Sequence, residues 1–131
     1  EMNIVDKVKS EDLENSVKFM GLRDDVNMLM QIFDVFLFPS IYEGLPVTLV
    51  EAQTIGLPCF ISDCLPKDVC ITKNIFMLSL NEPSSKWASE ILVVYDSFRR
   101  ENMQDEIIKA GYDIKENVKW LENYYVNLVK N

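Results

Sequence analysis

Apolar positions along the chain keep to helical or strand rhythm. Met2, Ile4, Val5 and Val8 predict a helix over residues 1–9. The polar stretch 9–16 reads as a turn, and residues 17–20 (VKFM) as a short strand stopped by Gly21. Val26, Leu29, Met30 and Phe33 give the next helix its inner face. Asp24 or Asp25 caps it, where a carboxylate also meets the positive end of the helix dipole, and Asp34 ends it. Residues 35–38 (VFLF) are apolar on both faces, as suits a parallel strand covered by helices on both sides. A helix then opens at Pro46, stops at Gly56 and is barred from continuing by Pro58. Strands follow at 58–62 and 75–78, around a loop holding Asp63, Pro66 and Asp68. From Pro83 onward the pattern is helical: Trp87, Ile91, Val94, Tyr95 and Phe98 form one stripe. Ile114, Val118, Leu121, Tyr125 and Leu128 mark a last helix at about 114–129, with Trp120 and Tyr124 beside the stripe.

Strands alternating with helices predict an α/β fold, a Rossmann-like parallel sheet flanked by helices. Such sheets bind ligands beyond the carboxyl ends of their strands. That directs attention to the loops 21–25, 39–45 and 62–68.

Composition narrows the chemistry. The 131 residues suffice for one domain, and 48% of them are hydrophobic, which excludes a disordered tail. Net charge is −8, so no nucleic-acid footprint is visible. There is no histidine, which removes the commonest zinc ligand and the usual neutral-pH proton shuttle. Cys59, Cys64 and Cys70 fit no disulfide or metal pattern and read as buried or free thiols in a reducing compartment. No apolar run reaches the ~18 residues of a membrane span. Glu1 falls in what reads as mid-helix, without a signal peptide, so the start reads as a cut.

The informative stretch is 39–63, PSIYEGLPVTLVEAQTIGLPCFISD. A strand leads through the loop 39–45 into a helix with Pro46 in its first turn. The amides of Gly44 and Leu45 then sit at the positive end of that helix, and Gly44 lets a ligand approach the backbone closely. This suits a phosphate or a leaving diphosphate. Glu43 directly precedes the helix; Glu51 lies on it, among Val47, Leu49, Val50, Ala52 and Ile55. Two readings of Glu51 stand side by side: a carboxylate that accepts from the vicinal hydroxyls of a sugar, or a member of a solvated strip with Thr48 and Thr54.

The stretch resembles the C-terminal donor-binding domain of family 4 retaining glycosyltransferases of the GT-B fold, most of all bacterial polysaccharide-type members. Glu43-GLPVTLV-Glu51 matches the family's E-x7-E pattern. It is framed by DVFLFPS (34–40), EGLP (43–46), and EA (51–52) followed by GLP (56–58). VKFMG (17–21) resembles the family's upstream strand and glycine, and residues 87–91 and the Leu121/Tyr125 helix its closing helices. The chain is thus read as one N-terminally truncated donor-binding domain, residues 1–131.

The resemblance implies transfer of a glycosyl group from a nucleotide sugar to a saccharide or lipid-linked acceptor, with retention of configuration. It implies that Glu43 is the catalytic carboxylate beside the donor sugar's 3- and 4-hydroxyls, and that Gly44 and Leu45 offer amides to the sugar and diphosphate. Glu51 would hold the ribose, Gly21 and Arg23 would lie near the base, and Ser40 and Tyr42 near the donor. It implies no cofactor and no metal. It also implies a cytoplasmic protein, with a peripheral position at the inner membrane face open to the full-length enzyme. The family's basic pair, Gly-rich loop and acceptor-binding domain would all lie upstream of Glu1, so this piece alone is expected to be inactive. The competing readings are a GT-B nucleotide-sugar epimerase, a glycosyl phosphorylase, and a non-catalytic nucleotide-binding or regulatory module.

The family's sheet order, 3-2-1-4-5-6, would make the strands at 17–20, 35–38, 58–62 and 75–78 the third to sixth. The first two would be missing from the middle of the sheet. Three outcomes follow: upstream residues fill the gap, the chain associates with a partner or with itself, or 17–20 docks beside 35–38.

Overall fold

The computed structural model describes residues 3–129. Its sheet has three parallel strands: β1 (Phe36–Phe38), β2 (Cys59–Ser62) and β3 (Ile75–Leu78), in the order β1-β2-β3. Phe36 pairs with Cys59 and Phe38 with Ile61; Cys59 pairs with Ile75 and Ser62 with Leu78. The helices are α1 (Ile4–Ser10), α2 (Val26–Gln31), α3 (Val47–Thr54), α4 (Ser84–Ser97), α5 (Gln104–Lys109) and α6 (Ile114–Val129), with a 3₁₀ turn at Lys67–Val69.

Central strand β2 is buried along its whole length. Alternation sends Cys59 and Ile61 into the main core with Met30 of α2, Leu49 and Ala52 of α3, Leu57, Leu65 and Val69. On the opposite face Phe60 stacks on Phe76 with ring centroids 5.0 Å apart. Near the same sheet, Trp87 of α4 is buried and donates its indole N–H to Ser79 O at 3.1 Å. The α/β class with a parallel sheet flanked by helices is therefore as the pattern predicts.

Residues 17–20 are a correction: they form no strand and pair with nothing in the sheet. A strand is stable only with a hydrogen-bonded neighbour and a face to bury, whereas Phe19 and Met20 are exposed and β1 pairs with β2 alone among the described residues. Docking of this segment beside β1 is thereby ruled out. Helix α1 starts at Ile4, with the Asn3 side chain accepting from Val5 N at 3.2 Å. Met2, assigned to that helix, lies outside the described residues. Helix α2 stops at Gln31, short of Asp34, and only Met30 of its face is buried.

Two long-range devices hold the helix ends. At Gly56 φ is +75°, and a Cβ there would lie 1.8 Å from Glu101 O, so glycine is demanded by both backbone and space. Arg100 caps two helices at once. Its guanidinium donates to Ile55 O (2.7 Å) just past α3 and to Gln31 O (2.8 Å) at the end of α2, with Phe33 O and Met30 O at 3.4 and 3.5 Å. A cation over exposed carbonyls is favourable at a helix C-terminus.

Candidate functional site

The site is assembled where β1 runs into α3. Pro39 and the following loop leave the carboxyl end of β1, and Pro46 sets the entry to α3. Among the described residues no side chain caps α3. The Leu49 amide is met by Pro46 O at 2.9 Å, and the amides before it face an external acceptor at the positive end of the helix. Gly44 is exposed, and nothing lies within 4 Å of where its Cβ would be. Leu45 and Tyr42 are exposed as well, Tyr42 with 85% of its surface free.

Glu43 is half-buried and fixed from within its own loop. The Ser40 hydroxyl donates to Glu43 Oε1 at 2.7 Å, with Tyr42 O as a weaker alternative at 3.3 Å. The loop is fastened in turn to the sheet, because the buried Ser62 hydroxyl at the end of β2 donates to Ser40 O. Pattern reading missed Ser62; the one signal for it is its place at the carboxyl end of the strand beside β1.

Glu51 lies exposed on the solvent side of α3. It borders a groove of about 310 Å³ between α3 and the segment that follows α4, lined also by Leu45, Val47, Gln104, Ile107 and Tyr112. The solvated-strip reading fits only in part, for Thr54 is half-buried and its hydroxyl bonds back to Val50 O at 2.7 Å. Two positions on, Gln53 is fully buried. Its amide donates to Val69 O (2.9 Å) and Leu49 O (3.3 Å) and accepts from Ile71 N (3.0 Å), Thr72 N (3.1 Å) and the Thr72 hydroxyl (3.3 Å). This side chain locks α3 to the segment entering β3.

Among the described residues, no hydrogen bond or ion pair brings Arg23 or Gly21 to the Glu43 loop. Arg23 is engaged by Asp25 through Nε–Oδ1 at 2.6 Å and Nη2–Oδ2 at 2.5 Å. The bond to Arg23, with its charge, holds the Asp25 carboxyl below its ordinary range, and the Arg23 guanidinium is raised in return. Asp25 occupies the N-cap position of α2 but makes no capping bond, because its carboxylate is spent on Arg23. A larger recess of about 380 Å³ opens elsewhere, beside Leu37, Pro39, Leu80, Trp87 and Ile91. It is almost wholly apolar and touches neither Glu43 nor Glu51. Burial pushes the Cys59 thiol up to about 12, so it is inert.

The arrangement offers open helix-start amides, an oriented carboxylate before them and a solvent-facing carboxylate on the same helix. A family model described as glycosyl transferases, group 1, matches residues 2–97. The chain is 42% identical over 125 residues to EpsF of Bacillus subtilis, a glycosyltransferase by name, covering 93% of this chain and 33% of that protein. It is 30% identical over 125 residues to an Escherichia coli UDP-Gal:α-D-GlcNAc-diphosphoundecaprenol α-1,3-galactosyltransferase, covering 91% of this chain and 32% of that protein. Over 60 residues it is 37% identical to the amylovoran biosynthesis glycosyltransferase AmsK of Erwinia amylovora, 40% of this chain and 15% of that one. The chain spans about a third of the length of the first two relatives.

Proposed function

The chain belongs to the group 1 glycosyltransferases, family 4 of the GT-B fold, and we propose that it supplies the donor side of a retaining glycosyltransferase active site. The observation that carries this reading is the uncapped start of α3, with Glu43 held in front of it by Ser40 and Glu51 facing solvent on the same helix.

The donor is a nucleoside diphosphate sugar. The amides of Gly44 and Leu45 and the dipole of α3 face the diphosphate, stabilising negative charge that grows as the sugar–phosphate bond breaks. Glu43 accepts from the sugar's hydroxyls, and Glu51, free of protein partners that would compete, accepts from the ribose. Ser40 and Tyr42 border the sugar; Gly21 and Arg23 lie toward the base. The acceptor oxygen bonds to the anomeric carbon on the face the phosphate leaves, and its proton passes to the leaving phosphate. Two carboxylates one helix apart are not read as a glycosidase pair, since Glu51 is assigned to the ribose.

One relative's name specifies a UDP-sugar donor and an acceptor saccharide on diphosphoundecaprenol. We extend those classes to the full-length protein: a nucleotide sugar on this domain, and a lipid-linked saccharide held by a separate acceptor-binding part, working in the cytoplasm at the inner membrane face. Among the described residues no helix is long and apolar enough to cross a membrane.

The test is transfer by full-length protein carrying Glu43→Ala or Glu51→Ala. Each variant loses one or two charge-assisted hydrogen bonds, about 1.5–3 kcal/mol apiece. Turnover or donor affinity is expected to fall about 10- to 150-fold, with the melting temperature unchanged. Wild-type rates in both variants would overturn the assignment.

A further inference from the structure

The carboxylate that meets the donor sugar must hold its place within a fraction of an ångström, and a loop alone does not provide this. In this molecule the loop is anchored. Ser62 is wholly buried at the end of β2, the most enclosed strand of the sheet. Its hydroxyl reaches 22 residues back along the chain to Ser40 O. Ser40 is the residue whose own hydroxyl donates to Glu43 Oε1 at 2.7 Å. A continuous path therefore runs from the sheet core through the Ser40 peptide and hydroxyl to the carboxylate.

We propose that Ser62 is a positioning residue for Glu43: it fixes the Ser40 backbone so that the Ser40 hydroxyl presents the carboxylate to the donor. Ser62 touches no substrate. The β-ladder itself ends at the pair Phe38–Ile61, so the backbone at Ser40 has no ladder bond to hold it. The Ser62 hydroxyl supplies one bond beyond the ladder, where the chain turns toward α3. The inference rests on the role given to Glu43 above.

The experiment is a double-mutant cycle in the full-length protein, with kcat and donor KM measured for Ser62→Ala, Glu43→Ala and the pair. A merely structural serine lowers activity by the same factor in either background; a positioning residue does so only while Glu43 is present. The expected result is a three- to tenfold lower kcat for Ser62→Ala alone, the size of one neutral hydrogen bond, and less than a twofold further change when Glu43 is already alanine. Ser62→Cys keeps the volume and weakens the donor; carried through the same cycle, it is expected to match Ser62→Ala and decides the question if the alanine variant melts early. Equal losses in both backgrounds, or unchanged kcat in Ser62→Ala and Ser62→Cys while Glu43→Ala is impaired, overturn the inference alone. Full activity of Glu43→Ala overturns both it and the reading it rests on.

Discussion

Arg23 and Asp25 spend their charges on each other: Nε meets Oδ1 at 2.6 Å and Nη2 meets Oδ2 at 2.5 Å across a single intervening residue. The pair sits on the loop that leads into α2, where the sequence offers Asp25 as a helix cap and the family resemblance sets Arg23 beside a nucleotide base. A planar guanidinium two residues from a carboxylate forms a two-pronged bond, and that local geometry outcompetes the cap. A nucleotide that recruits Arg23 must therefore draw it away from Asp25.

The Asp25 carboxyl is accordingly expected to titrate below its ordinary range, and to return toward that range in Arg23→Gln. A carboxyl-detected NMR titration reads this directly. The sign follows from the depressed folded-state value: the pair's contribution to stability is present above the unfolded carboxyl pKa and fades as pH falls through the folded one. Because both side chains are exposed, the effect shrinks in high salt. An Asp25 titration indifferent to Arg23→Gln contradicts the pairing.

Gln53 is the most heavily bonded side chain near the site, and its loss should be felt well beyond α3. Gln53→Leu strands the buried Thr72 amide and takes one of two partners from Ile71 N and from Val69 O, which keep their 3.1 Å bond to each other. A cost of about 1–3 kcal/mol is expected, chiefly from the orphaned Thr72 amide. Thr72→Val removes two long hydroxyl bonds, one donated to Gln53 Oε1 at 3.3 Å and one accepted from Asn74 N at 3.4 Å, and should cost about 1 kcal/mol. Urea unfolding of the two variants checks the order; a Gln53→Leu protein as stable as Thr72→Val refutes the hub.

Two glycines with similar backbones separate strain from crowding. Gly21 has φ +65° with open space around it, whereas Gly56 has φ +75° and Glu101 O in the way of a Cβ. Gly21→Ala should cost only the left-handed penalty, about 1–2 kcal/mol. Gly56→Ala must also displace the backbone at Glu101, so it is expected to be clearly the more damaging of the two in thermal melts. Equal melting temperatures contradict this.

Features set by local pattern are those the sequence announces. The run at 35–38, the GLP at 56–58 and the Trp87 stripe each carry their structure within a few residues, and β1, the stop of α3 and the buried Trp87 appear accordingly. Residues 17–20 have strand composition, but a strand is a relation between two segments, and none of the described residues pairs with them. Helix α5 offers only Ile107 and Ile108 as apolar residues in six, too few for a periodic signal. At the site, Glu43, Gly44 and Glu51 stand out through the framed motif. What orients them does not: Ser62 acts across 22 residues and Gln53 across as many as 19, and such bonds leave no spacing to read.

Under the proposed reading, transfer by the full-length protein is expected to be independent of added metal, the helix-start amides meeting charge on the diphosphate. Assays with and without EDTA decide it. Activity abolished by the chelator and restored by Mg²⁺ or Mn²⁺ would contradict the proposal.

The isolated 131-residue chain should show no transfer and should self-associate. One edge of β1 has no partner among the described residues, and Leu37 in its centre is 51% exposed beside the apolar recess lined by Trp87 and Ile91. Open strand edges with apolar faces recruit other chains. A second surface adds to the first. Helix α6 has no buried residue, yet it displays Trp120 (66% exposed), Tyr124, Tyr125 and Leu128, with the Trp120 and Tyr124 rings stacked at 5.6 Å. Exposed apolar area of this kind favours association. A net charge of −8 opposes association, and the opposition weakens as salt screens it. Sedimentation of the isolated chain should therefore show mass rising with concentration, more steeply at high salt. Trp120→Glu combined with Tyr124→Glu, which breaks the aromatic surface on α6 without touching the sheet, should shift the distribution toward monomer; Leu37→Lys should do the same from the strand side. A monodisperse monomer at all salt concentrations would show that these faces are tolerated bare.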